Sequence, residues 1–204
     1  MPIEIFGPSS SRTRRVLWTA EECGADYVQV PVALGKGEHL TDEYAAINPN
    51  RRVPAMRDGD VVLFESAAIC RYIAGTHPEA GLLPRSGSAD AARCDQWCFW
   101  ICTELEQPLW SMGKHRFALP EEHRIDAMLE TARWEWRRAV PVLDAALQDH
   151  EYLVADRFGV ADVLAGHTLN WAKGGRVPFE STTLEAYLER LTARPAFQRT
   201  LALP

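Results

Sequence analysis

Every strand-like segment of this chain lies before residue 76, and the long amphipathic runs that follow residue 89 carry helical periodicity only. That asymmetry restricts the 204 residues to a mixed α/β part followed by an all-helical part. In the first part, Ile3 to Phe6 reads as a strand. Residues 13–23 read as a helix made amphipathic by Val16, Leu17 and Ala20 and ended by Gly24. Residues 27–33 form a second strand, with Pro31 marking an edge or a strand end. A short helix over 41–47 leads into Asn48-Pro49. Two apolar segments, 54–56 and 61–64, then flank Asp58-Gly59-Asp60, which is the pattern of a β-hairpin. A helix follows at once, with Ile69, Tyr72 and Ile73 at helical spacing and Ser66 near its start. The order is βαβαββα. Its first βαβ unit requires a parallel pair and its hairpin adds antiparallel strands, so the expected sheet is four-stranded and mixed.

Residues 77–88, rich in Pro, Gly and Ser, read as a linker. Beyond them, helices are expected over 89–112, 121–149, 160–172, 184–192 and 195–201, with Pro120 and Pro195 in first turns. The predicted domains are therefore 1–76 and 89–204. Composition narrows the function classes. A chain that is 47% hydrophobic and 25% charged is an ordinary globular one. A net charge of -6 argues against nonspecific nucleic-acid binding, which needs a basic face. No run reaches the ~20 apolar residues of a membrane span, and no signal-peptide core opens the chain, so the expected location is the cytoplasm. Five cysteines, an odd number with no CxxC pair, do not form a disulfide framework. Cys94, Cys98 and Cys102 fall on one helical face. Small buried residues at a helix contact explain that spacing better than a soft-metal site, and no metal is expected.

Three motifs carry chemistry. Val53-Pro54 opens a strand, and proline has no N–H to donate, so a cis bond there would turn the main chain of Val53 outward to pair with an extended peptide. An ordinary strand-starting proline is the plainer alternative. Glu65-Ser66 lies where a strand hands over to a helix, so the helix N-terminus faces whatever binds there. A carboxylate suits that position, Ser66 adds a hydroxyl and Glu65 takes an ammonium group. An amino-acid head carries both charges, although Ser66 as a simple N-cap reads equally well. "GPSSS" (7–11) places hydroxyls in the turn before the first helix, where capping is again the alternative. No GxSxG elbow or neighbouring His-Asp pair makes these serines hydrolytic.

Taken together, these motifs resemble those of the cytosolic glutathione transferases, and the resemblance covers essentially all of the chain. "NPNRRVPAMRDGDVVLFESAAICRYIA" (48–74) is similar to the family segment NPxGxVPxLxDGDxxLxESxAIxxYLA, and "FGVADVLAGH" (158–167) to a helix-starting segment of its second domain. The family pairs a thioredoxin-like N-terminal domain with an all-helical C-terminal one. The resemblance implies that Val53, next to a cis Pro54, pairs with the cysteinyl unit of glutathione. It implies that Glu65 and Ser66 hold the γ-glutamyl ammonium and carboxylate. The spacing of "GEHLTDEYAAINPNRRVP" matches the plant-type phi class, which puts His39 near the glycyl carboxylate, and Arg52 reaches the same end. In serine-type members the thiol-activating hydroxyl lies about five residues before the Arg of an "RV" pair. Here that pair is Arg15-Val16, which selects Ser10, with Ser11 second and Ser9 third.

The resemblance further implies an enzyme that conjugates glutathione, as co-substrate, to small hydrophobic electrophiles, and a homodimer. The electrophile's pocket is expected beside the 7–11 loop and the second domain's first long helix, with Trp110, Met112 and Phe117 as wall candidates; core packing is the other reading of each. The alternatives are a glutathione-dependent isomerase of the maleylacetoacetate type, from whose Ser-Ser-Cys order this loop departs, and a non-catalytic binding module. Three residues depart from the family pattern: Arg51 stands for Gly, Leu40 for a frequent Lys, and Gly159 for a capping Ser or Thr. The first two bear on glutathione affinity. The third removes a cap at a cost of only a few tenths of a kcal/mol.

Overall fold

The computed structural model describes residues 1–204, and they divide into two compact units. The first comprises Met1–Arg85 together with Leu191–Pro204, and the second Ser86–Arg190. The first unit runs β1 (Ile3–Phe6), α1 (Thr13–Cys23), β2 (Tyr27–Val30), α2 (Asp42–Ala45), β3 (Ala55–Asp58), β4 (Val61–Phe64) and α3 (Ser66–Thr76). This is the expected βαβαββα order. The strands lie side by side as β2-β1-β3-β4. β1 is parallel to β2, with Phe6 opposite Val30, and antiparallel to β3, with Phe6 opposite Ala55. The β3-β4 hairpin closes the mixed sheet. β2 stops at Val30, just before Pro31, because proline supplies no ladder N–H.

Strand alternation sorts the side chains onto two faces. Ile3, Ile5 and Met56 are buried with Val16 and Leu17 of α1 and Ile69 and Ile73 of α3. On the other face Phe6 and Ala55 form a small core with Val32 and Tyr44. α1 ends at Gly24, whose φ of 60° is the left-handed conformation that glycine adopts without a Cβ penalty.

The second unit contains α4 (Ala89–Trp100), α5 (Glu106–Gly113), α6 (Ala127–Leu147), α7 (Val160–Gly174) and most of α8 (Thr182–Thr192). The single helix expected over 89–112 is interrupted: a π-turn, Ile101–Leu105, separates α4 from α5, and a second, Lys114–Ala118, follows α5. Pro108 gives the reason for the first. It has no N–H for the carbonyl four residues back, and its ring would crowd that carbonyl, which belongs to the π-turn. The helix expected from 121 begins only at Ala127; Pro120 leads into a separate 3-10 turn, Glu121–His123. Trp136 of α6 is buried in this unit and donates its indole N–H to the Pro178 carbonyl at 2.7 Å.

Residues 191–204, expected in the second domain, join the first unit instead. The reason is a set of long-range contacts. α9 (Pro195–Thr200) packs on α1 through an edge-to-face contact of Phe197 with Trp18, at 4.9 Å between centroids. Arg194 also donates to both carboxylate oxygens of Glu22, at 2.6 and 2.8 Å. Arg199 pairs with Glu21 beside it.

Candidate functional site

The loop between β1 and α1 is fixed by hydrogen bonds that use two of its three serine hydroxyls. Ser9 is buried, and its Oγ donates to the Leu203 carbonyl at 2.7 Å. Ser11 Oγ donates to the Pro8 carbonyl at 2.8 Å, lies 2.9 Å from Thr13 Oγ1 and accepts the Thr13 N–H. Ser10 differs from both. It is exposed, and its hydroxyl has no partner in the chain.

Gly7 brings this loop against Val53. Its φ of +127° is disfavoured for any side chain, and a Cβ built there would overlap Thr13 Oγ1 and sit 2.8 Å from the Val53 Cβ. Only glycine lets the two segments approach so closely. The Val53-Pro54 peptide is cis. The Arg52 carbonyl just before it is held from two sides, by the Tyr44 hydroxyl at 2.7 Å and Asn48 Nδ2 at 2.6 Å. Burial pushes the Tyr44 phenol up to about 12, so it stays a donor. Asn48 is itself oriented by accepting the Asn50 N–H at 3.0 Å. Val53 is left half-buried, and its main-chain N–H and C=O are outside the network of turn and strand hydrogen bonds.

At the start of α3, Glu65 is exposed and Ser66 buried. Glu65 adopts φ 73° and ψ 109°, a sparsely populated conformation for a residue with a side chain, and it places the carboxylate at the helix entrance. Ser66 Oγ accepts a hydrogen bond from Arg15 Nη1 at 3.3 Å, and that guanidinium is buried under α1. A cation beneath the α3 N-terminus adds to the pull of the helix dipole on an anion.

His39 lies in the 3-10 turn Glu38–Leu40; its Nδ1 is shielded from solvent and has no hydrogen-bond partner. Arg52 is exposed. Arg51 adopts the left-handed φ of 53° that the family's glycine would take freely. Its guanidinium donates to the Leu40 carbonyl and to Asp42 Oδ1, the latter at 2.8 Å. The departures at positions 40 and 51 thus meet in one contact.

In the second unit, Met112 is only 2% exposed and belongs to the helical core, which corrects its candidacy as a pocket wall. Phe117 is 68% exposed, and its ring and that of Trp110 flank Gly113. Cys94 and Cys98 are buried in α4, and all five cysteines are free thiols.

Ser10, Val53 and the Glu65-Ser66 pair are candidates on sequence alone, but what positions them is not visible there. Arg15 served only to count back to Ser10. A charged residue inside the apolar stripe of α1 was the signal that it had a buried partner.

A mixed four-stranded sheet of this order, with a cis-proline strand entry and a helical second unit, defines the thioredoxin-like class that carries an all-α domain. Residues 1–75 match the family profile described as glutathione S-transferase, N-terminal domain, and residues 107–195 that of the C-terminal domain. The chain belongs to the glutathione S-transferase family and is a transferase. Glutathione S-transferase 3 of Zea mays is 34% identical, the match covering 98% of this chain and 94% of the relative. The Escherichia coli K12 glutathione S-transferase GstB is 29% identical over 96% and 95%. Among solved structures, the theta-class enzyme of Xanthomonas axonopodis pv. citri with glutathione bound is 33% identical. Its TM-score is 0.83, and the match covers 98% of this chain and 97% of that one. A glutathione transferase from Methylococcus capsulatus aligns with a TM-score of 0.88 at 26% identity, over 98% and 97%. No helix is long and apolar enough to cross a membrane.

Proposed function

We propose that this transferase ionises the thiol of glutathione and transfers it to small hydrophobic electrophiles, with Ser10 donating the hydrogen bond that stabilises the thiolate. One observation carries the reading. Ser9 and Ser11 give their hydroxyl protons to main-chain carbonyls, whereas Ser10 keeps an exposed donor with none to satisfy.

A free thiol near pKa 8.5 is only a few per cent thiolate at pH 7, and the thiolate is the nucleophile. One charge-assisted hydrogen bond contributes roughly 1.5–3 kcal/mol, and about 1.4 kcal/mol corresponds to one pKa unit. Ser10 therefore lowers the bound thiol by about one to two units. Its proton stays on the oxygen throughout, and the thiol proton passes to solvent water. The sulfur lone pair forms the new S–C bond, and the electrophile either expels a leaving group with its bonding pair or takes a proton from water.

The tripeptide is assigned along the first unit. The Val53 main chain pairs with the cysteinyl unit, and Glu65 takes the γ-glutamyl ammonium. Ser66 and the α3 N-terminus take its carboxylate, while His39 and Arg52 face the glycyl carboxylate. We also propose a homodimer, supported by the exposed Val61, Val62 and Phe64 on the edge strand β4.

The test is the thiolate absorbance of bound glutathione against pH. Ser10→Ala should bind glutathione nearly normally, raise the thiol pKa by about one to two units, and lower turnover at pH 7 roughly tenfold to a hundredfold. Ser11→Ala should act mainly on stability, by about 1 kcal/mol. A larger shift in Ser11→Ala would move the assignment to that residue.

A further inference from the structure

Ser10 has no bond of its own to hold it, so its position depends on its neighbours, and the most constrained neighbour is Ser9. All three polar groups of Ser9 are committed. Its N–H donates to the Pro204 main-chain oxygen at 2.7 Å, and its Oγ donates to the Leu203 carbonyl at 2.7 Å. Its own carbonyl accepts from Arg14 Nε at 2.9 Å. Gln29 of β2 completes the arrangement: its Nε2 lies 2.9 Å from the Gly7 carbonyl and 2.7 Å from the Pro204 oxygen, donating to both. Residues almost two hundred positions away in sequence thus form the back wall of the loop that carries Ser10. They are held there by α9, whose Arg194 and Phe197 dock on α1, the helix this loop leads into.

We infer that Leu203 and Pro204 are positioning residues for thiol activation: clasped to Ser9 and Gln29, they fix the backbone on which Ser10 presents its hydroxyl to the glutathione sulfur. The inference rests on the proposed role of Ser10. A donor displaced by about an ångström loses much of its hold on a developing charge, because charge-assisted hydrogen bonds weaken steeply with distance and angle. The glutathione contacts at Val53, Glu65 and Ser66 involve neither residue 203 nor 204. The clasp should therefore act on ionisation and turnover and leave affinity nearly unchanged.

The experiment compares the full chain with four variants: Ser9→Ala, Ser9→Thr, a chain lacking Leu203 and Pro204, and Ser10→Ala. Three quantities are measured for each: the thiolate absorbance of bound glutathione against pH, kcat and KM for glutathione, and amide hydrogen exchange over residues 7–11. Shortening the chain should speed exchange in the loop, shift the thiolate profile to higher pH and lower kcat at pH 7 about threefold to tenfold. KM should change less than twofold. Ser9→Ala should follow in the same direction, and Ser9→Thr, which restores the Oγ, should recover most of the loss. Loop exchange unchanged on removing Leu203 and Pro204 overturns the clasp, whatever Ser10→Ala does. If exchange speeds up and Ser10→Ala shifts the profile while the clasp variants do not, the link to Ser10 is overturned and the Ser10 reading stands. If Ser10→Ala itself moves nothing, serine activation fails and the positioning role falls with it.

Discussion

Glu65 is held in a strained conformation at the entrance of α3, and its proposed role in binding glutathione can be separated from that strain. Its φ of 73° and ψ of 109° cost of order 1–3 kcal/mol for a residue with a side chain, and glycine would adopt them with less strain. Glu65→Gly should therefore be at least as stable in urea as the parent chain, yet lose retention on immobilised glutathione. A variant that both unfolds more easily and still binds would contradict the role assigned to the carboxylate. Ser66→Ala should also lose retention, and it should cost stability as well, about 1–3 kcal/mol, because the buried Arg15 loses one of its hydrogen bonds. Gly7 is the opposite case, a residue whose absent side chain is what matters. Gly7→Ala forces a Cβ against Thr13 and Val53, so it should destabilise by at least 1–3 kcal/mol from backbone strain alone. It should also reduce turnover more than Ser11→Ala does; unchanged kinetics in a folded Gly7→Ala chain would refute the close approach.

At the scale of elements, the start of α7 is organised by Asp162 rather than by its glycine N-cap. Asp162 Oδ2 accepts the Gly159 N–H at 2.9 Å, and Oδ1 accepts the Leu153 N–H at 3.0 Å and the Tyr187 hydroxyl at 2.6 Å. One carboxylate thus joins α7, α8 and the turn before them, and the missing Ser or Thr cap at Gly159 is compensated from inside the helix. Burial raises the Asp162 carboxyl to about 6, against the opposing pull of the hydrogen bonds it accepts. Between about pH 4 and pH 6 the folded chain keeps a proton here that the unfolded chain has released. The stability contributed by this group therefore falls as pH rises through that window and is level above it. Asp162→Asn does not titrate, and its amide N–H would oppose the Gly159 N–H, at a cost of about 1–3 kcal/mol at pH 7. Its deficit relative to the parent should be larger at pH 4 than at pH 7 in urea titrations. An equal deficit at both would show that Asp162 titrates normally.

For the whole molecule, the edge position of β4 matters most. A strand at a sheet edge with three exposed apolar side chains, Val61, Val62 and Phe64, invites association unless something covers it. The expected outcome in solution is a dimer of about twice 22.9 kDa by light scattering at micromolar concentration. Val62→Glu should shift it toward the monomer, since a charge would replace an apolar contact on that edge strand. A monomeric mass for the parent chain would remove the dimer from the proposal.

The sequence by itself determined the order of elements in the first unit, the hairpin turn and the end of α1, because periodicity, Pro31, Asp58-Gly59-Asp60 and Gly24 each act on their own neighbours. The motif around Val53 and Glu65-Ser66 was legible for the same reason: its residues lie within one short stretch of chain. Tertiary structure alone decided what depends on approach between distant segments. Nothing local says that Leu203 and Pro204 meet Ser9, that Arg15 lies under Ser66, or that Gly7 makes room for Val53. Nor does helical periodicity distinguish a regular turn from the π-turn ahead of Pro108, since both carry the same apolar stripe past it. Met112 sits on such a stripe, and only packing against the other helices of its unit turned it inward.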